Sequence, residues 1–378
     1  MNDSLFDLNS NNSINLSKYE GEVKIEMNWG ELIEDCSNMF LSCDSLISID
    51  FSKFNSSLVN NTRGMFSGCS SLNSINFNNF DTSKVTDMEE MFKSCSSIIS
   101  LNITYFNTSS VTKMNSLFFN CISLKTIDLT SINTSNVINM NSMFANCNSL
   151  ESLDLFQFTI SKVENMSEMF YGCKMLKSID LSNLETSSVQ DMGFMFYGCS
   201  NLTELNLSNF ITLSVISMSK MFYGCESLVS IDLSNFNTIN LNEFNQTFDD
   251  CKSLVYINLY NYIGKDIFES NLNYSLLTIC IKSFEQINNG NNILVDKEII
   301  NKCAVITTIM TTLPILTTYL STNIKTSIFS HSSSIFVSNI KSTIISSNPF
   351  SSKIIRSIIN SSIPTSISSN SQTNTQVF

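Results

Sequence analysis

A cysteine-centred frame recurs along this chain every 26 residues, and that period constrains the fold more than any other feature of the sequence. Cysteine falls at 43, 69, 95, 121, 147, 173, 199, 225 and 251, with no insertion or deletion between copies. The copy from Cys69 to Cys95 reads CSSLNSINFNNFDTSKVTDMEEMFKSC. In it, Leu72-x-x-Ile75-x-Phe77 reads as a short strand whose Ile and Phe share one face. Met88, Met91, Phe92 and Cys95 follow at i, i+3, i+4 and i+7, the apolar stripe of a short helix. Thr86 and Glu89 fit a capping box at its start. One strand plus about two turns of helix cannot bury its own apolar face, so copies must stack with like columns in register. The sequence predicts an α/β solenoid with one short parallel β-strand plus one short helix per repeat, and about nine repeats.

The columns hold along the array. Leu46, Leu72, Ile98, Leu124, Leu150, Leu176, Leu202, Leu228 and Leu254 share the first strand position, and phenylalanine stands three residues before each cysteine of the column. Cys69, Cys95, Cys121, Cys147, Cys173, Cys199 and Cys225, with Phe92, Phe144 and Phe170, are expected to form a core ladder. The frame C-x-x-L-x-x-[IL]-x-[LF]-x-x-F-x-T-S-x-V-x-x-M-x-x-M-F-x-x-C resembles the repeat of BspA-type leucine-rich surface proteins over about residues 29–262. That resemblance implies a leucine-rich-repeat-like solenoid, a cell-surface or secreted setting, adhesion, no enzyme activity and no cofactor. It supplies no ligand residues.

Four segments follow from the pattern. Residues 1–28 form a polar N-terminal segment with a capping strand at Val23, Ile25 and Met27. Trp29, Ile33, Cys36, Phe40 and Cys43 follow helical spacing as an N-terminal cap. The solenoid occupies 29–262, a C-terminal cap 263–303, and a Ser/Thr/Ile/Asn-rich low-complexity tail 304–378. The first 18 residues show neither a basic n-region nor an apolar stretch of signal-peptide length, which favours a cytoplasmic alternative to the surface setting. Residues 303–320 carry no charge and are the one stretch expected to offer membrane association, against six threonines and a proline. All 33 acidic residues precede 299 beside 16 basic ones, and the remainder carries five basic residues. A net charge of −12 argues against nucleic acid as partner.

The cysteine column invites a metal or disulfide framework, but a spacing of 26 fits no zinc pattern, and thiols one rung apart stand farther than the ~3.8 Å Cβ separation a disulfide prefers. The column is read as reduced core thiols. Cys280 and Cys303 lie outside it and have a pairing of their own open to them. The candidate ligand face is the outward strand column Asp50, Asn76, Asn102, Asp128, Asp154, Asp180, Asn206, Asp232 and Asn258, with Ser152 and Ser178 two residues before their acids. It is expected to meet a protein or glycan; the competing reading is a solvated ladder that keeps the sheet soluble. Asp128, Asp154 and Asp180 on successive rungs would repel one another, and calcium would relieve that, but no glycine-rich calcium repeat is present and no metal is assigned. Sequons at Asn55, Asn107, Asn133, Asn165 and Asn245 are unremarkable in so Asn/Ser-rich a chain. No phosphate loop or placed histidine supports catalysis. The chain is read as a non-enzymatic, monomeric recognition protein, with an intracellular interaction scaffold as the alternative.

Overall fold

The computed structural model describes residues 32–260 apart from 244, together with 263–264 and 278–280. All of them fall in the first of two units, Met1–Val305, the second being Ile306–Phe378. The array is a stack of rungs, each beginning at a residue bridged in parallel to its counterparts: Asp35, Asn61, Asp87, Lys113, Asn139, Asn165, Asp191, Ser217 and Glu243.

Eight of the nine expected strands are present, and they are short. They are β1 Ser48–Asp50, β2 Ser74–Asn76, β3 Ser100–Leu101, β4 Thr126–Ile127, β5 Ser178–Asp180, β6 Glu204–Asn206, β7 Ser230–Asp232 and β9 Tyr256–Asn258. Two further pieces, β8 Asn237–Thr238 and β10 Ile263–Gly264, pair at a neighbouring corner, and β11 Thr278–Cys280 pairs with β9. All pairing is parallel, but it forms separate ladders: β1 with β2, β3 with β4, β5 with β6, and β7 with β9 and β11. The fifth rung's equivalent, residues 151–155, forms no strand. Register steps by 26 from Ser230 to Tyr256 and by only 22 from Tyr256 to Thr278. The stack therefore gains another strand level after the strict repeat has ended.

The helices are not there. Among the described residues no helix occurs, and the Met-x-x-Met-Phe-x-x-Cys segment is a run of tight turns. In the third rung Met91, Lys93 and Cys95 donate to the carbonyls of Met88, Glu90 and Phe92, three residues back. The alternate amides of Met88, Glu90, Phe92 and Ser94 leave the rung and donate to Lys113, Asn115, Leu117 and Phe119 of the next. An amide spent on the next rung cannot close an i→i−4 bond, so the helix has no ladder of its own. Glu90 and Ser94 sit at φ 58°, which also stops helical propagation. The capping box is replaced too: Thr86 donates its N–H to Asn60, and Glu89 N–H goes to Asp87 Oδ1. The N-terminal turn at 36–43 follows the same pattern and is not helical.

The inward stripe nevertheless survives, because this turn sequence also directs i, i+3, i+4 and i+7 to one side. Met88, Met91, Phe92 and Cys95 are each at most 1% exposed. The phenylalanine column stacks nearly parallel from Phe40 to Phe248, with neighbouring centroids 5.4–6.0 Å apart. Each of the core cysteines from Cys69 to Cys251 donates its thiol to the phenylalanine carbonyl of the preceding rung, at 3.0–3.2 Å. The ten cysteines from Cys36 to Cys251 are all free.

A second buried column had no assigned role in the sequence. Thr82, Thr108, Thr134, Thr186 and Thr212 are each at most 1% exposed. Thr108 Oγ1 donates to Asn133 O at 2.8 Å and accepts Asn133 N–H at 2.7 Å, so one hydroxyl serves both backbone groups of a residue in the next rung. Ile160 occupies this column and breaks it.

Candidate recognition face

The outward strand column exists largely as expected. Asp50, Asn102, Asp128, Asp154, Asp180, Asn206 and Asp232 are exposed, as are Ser152 and Ser178; Asn76 is half-buried. Asn258 departs from the expectation. It is 1% exposed and donates to Asp232 Oδ2 at 2.9 Å, while its strand is flanked by β11 as well as β7. Ile47, Ile99 and Val229 lie one residue before the serine column and are exposed, so aliphatic side chains border the polar strip.

A local geometric demand explains why this column is always Asp or Asn. In all nine copies Oδ1 accepts the backbone N–H two residues on, from Ser52 for Asp50 through to Tyr260 for Asn258, at 2.8–3.1 Å. This Asx turn bends the chain out of the strand. Equivalent turns at Asp35, Asn61, Asp87, Asn139, Asn165 and Asp191 begin the turn segment. A third set at Asn55, Asp81, Asn107 and Asn133 makes the remaining corner and accounts for several of the sequons.

The turns commit one oxygen of each acid; at Asp232 the other accepts from Asn258. Oδ2 of Asp128, Asp154 and Asp180 accepts no hydrogen bond among the described residues. Hydrogen bonds from the Thr130 hydroxyl and N–H hold the Asp128 carboxyl below its ordinary range, and those of Ser52 do the same at Asp50. The strip therefore presents carboxylates, amides and hydroxyls, with Lys177 near Glu151 at 3.9 Å. Among the described residues no group of three or more His, Cys, Asp or Glu side chains is placed to hold a metal ion.

The core thiols are placed for packing. Burial pushes Cys69, Cys121 and Cys173 from 9.0 to about 12. Cys280 and Cys303, whose pairing was left open, have side chains outside the described residues, as does the stretch 303–320. Among the described residues no helix is long and apolar enough to cross a membrane.

A family model described as "Mycoplasma protein of unknown function, DUF285" matches residues 13–101, 96–203 and 174–271. The chain belongs to this family. Among solved structures, this DUF285 chain is similar to a leucine-rich repeat protein from Bacteroides ovatus ATCC 8483, at 21% identity. That match covers 67% of this chain and 84% of the other, with a TM-score of 0.22. A leucine-rich cell surface protein from Faecalibacterium prausnitzii A2-165 matches at 20% identity over 66% of this chain and 77% of the other, with a TM-score of 0.32. No curated protein matches. The assignment of this DUF285 chain as a solenoid rests on its own rung-to-rung hydrogen bonds.

Proposed function

We propose that this chain is a non-enzymatic recognition solenoid of BspA-like type, displayed at the cell surface or secreted, that adheres to a protein or glycan through its strand face. The observation that carries the reading is the exposed run of Asp128, Asp154 and Asp180, whose acids keep one oxygen outward while the other closes a turn. Recognition and stacking thus use different atoms of the same side chain. Solenoids place partners across such extended faces because neighbouring rungs repeat the same contacts.

The test pairs location with mapping. Antibody against residues 43–251 should label intact cells, and the full chain should bind members of a protein and glycan panel. Replacing Ser152 and Ser178 together by Lys should remove that binding while leaving the melting temperature unchanged. Binding that survives this double variant would overturn the strand-face assignment.

A second reading, the intracellular interaction scaffold, has its own support. The eight thiol–carbonyl contacts of the core need protonated, reduced cysteine. Labelling only after permeabilisation would favour it.

A further inference from the structure

One column, mixed along the rest of the array, is tyrosine in three successive rungs. Tyr171, Tyr197 and Tyr223 occupy a position held elsewhere by Leu41, Ser67, Lys93, Phe119, Ala145 and Asp249. Their rings stack almost parallel, 4.7 Å apart at 5° and 4.8 Å apart at 6°. All three are half-buried, so each ring is held by its neighbours while its edge meets solvent. Phe194 leans on Tyr197 at 5.9 Å, with Lys220 above the Phe194 ring. The negative charges of Asp250 and Asp249 near Tyr223 raise its pKa.

We propose that this tyrosine ladder is a site of oxidative modification, in which peroxide-driven one-electron oxidation joins neighbouring rings as dityrosine. Each participating phenol loses one electron and its hydroxyl proton to give a phenoxyl radical. The proton leaves to solvent together with the electron, so no cationic radical has to form. Two neighbouring radicals form a carbon–carbon bond between positions ortho to oxygen. The two hydrogens displaced there return to the phenol oxygens as the rings regain aromaticity. Overall, two tyrosines give up two electrons and two protons, and one peroxide accepts them to become two waters.

Coupling normally competes with radical decay during diffusion. Here the partner ring already stacks at 4.7–4.8 Å, so coupling needs only a local approach of neighbouring side chains and no diffusion. Tyr105 supplies an internal contrast: it is 62% exposed and has no ring contact among the described residues.

The experiment treats the dilute full-length protein with hydrogen peroxide and a peroxidase, then reads dityrosine emission and maps linked peptides by mass spectrometry. Links Tyr171–Tyr197 or Tyr197–Tyr223 within one chain, lighter by two hydrogens, are expected. Tyr197→Phe keeps the stacked ring and should keep the melting temperature, yet lose the links because the remaining tyrosines stand two rungs apart. Tyr105→Phe should change nothing. Undiminished dityrosine in Tyr197→Phe, links chiefly between chains through Tyr105, or no link at all would each overturn the proposal.

Discussion

The turn face and the strand face of this solenoid divide the work in the reverse of the way their sequences suggest. The strand columns look like a continuous sheet, yet they pair in separate ladders and the fifth rung contributes no strand. The turn columns look like separate helices, yet they join every rung to the next. At each of the eight junctions four amides donate forward, as Ser116, Phe118 and Asn120 do beside Met114, and at least one donates back, as Ile138 does to Thr112. From the second rung on, each forward amide shares a peptide unit with a carbonyl that accepts from the rung before, so aligned peptides run through the stack as they do through a helix. Cohesion thus resides in the turn face. The strand face, needing less of its backbone for stacking, is the one left to vary its side chains.

Alkali should separate the two faces most strongly. The thiols behind the turn face have folded pKa values above their unfolded ones, Cys121 and Cys173 at about 12 against 9.0. Their contribution is complete below the unfolded value and is lost as pH rises through the folded one. Circular dichroism across this window should show the melting temperature falling steeply above pH 9.0 and the array unfolded near 12. Stability that is flat over that range would remove the thiols from the account.

Proline probes the same contrast locally. Ser142 donates its N–H to Ser167 and sits at φ 54°, both denied to proline. Ser142→Pro should therefore cost about 3 kcal/mol or more in urea unfolding. Ser152→Pro, in the unpaired segment of the same rung, should cost less than about 1 kcal/mol. Equal costs would erase the distinction between the faces.

The threonine column sharpens the comparison on a third side of the rung. Thr134→Val strands the N–H and carbonyl of Thr159 and should cost about 1–3 kcal/mol. Ile160→Thr offers the same bridge to Glu185 and should gain about 1 kcal/mol, measured by the same unfolding assay. The smallest effect belongs to the left-handed positions. Ser116, at φ 55°, shares its column with Gly64, and Ser116→Gly should stabilise by up to about 1 kcal/mol.

These contrasts explain what could be read from the sequence. Apolar columns specify burial, so Leu72, Phe92, Met91 and Cys95 were legible as core from period alone. Burial does not specify backbone: an i, i+3, i+4, i+7 stripe suits paired turns as well as a helix. The distinguishing signal stood just before each cysteine, where Gly68, Ser94, Asn120, Asn146 and Gly172 form a column of residues tolerant of positive φ. It was weakened by the companion column, where Glu168, Phe194 and Lys220 take the same conformation without the usual residue types. The Asp/Asn column was legible as exposed, but its cause was not, because an Asx turn and a ligand contact ask for the same side chain. Asn258 was misplaced because β11 adds a strand level at a spacing of 22, outside the repeat.

Amide hydrogen exchange on the native full-length chain tests the central claim most directly. The forward-donating amides of Ser116, Phe118, Asn120, Ser142, Phe144 and Asn146 should be among the slowest in the array. Those of Ser152 and Asp154 in the same rung should exchange orders of magnitude faster, having no backbone partner among the described residues. Slow exchange along 151–155 with fast exchange at Ser142, Phe144 and Asn146 would contradict it and return the cohesion of the stack to the strands.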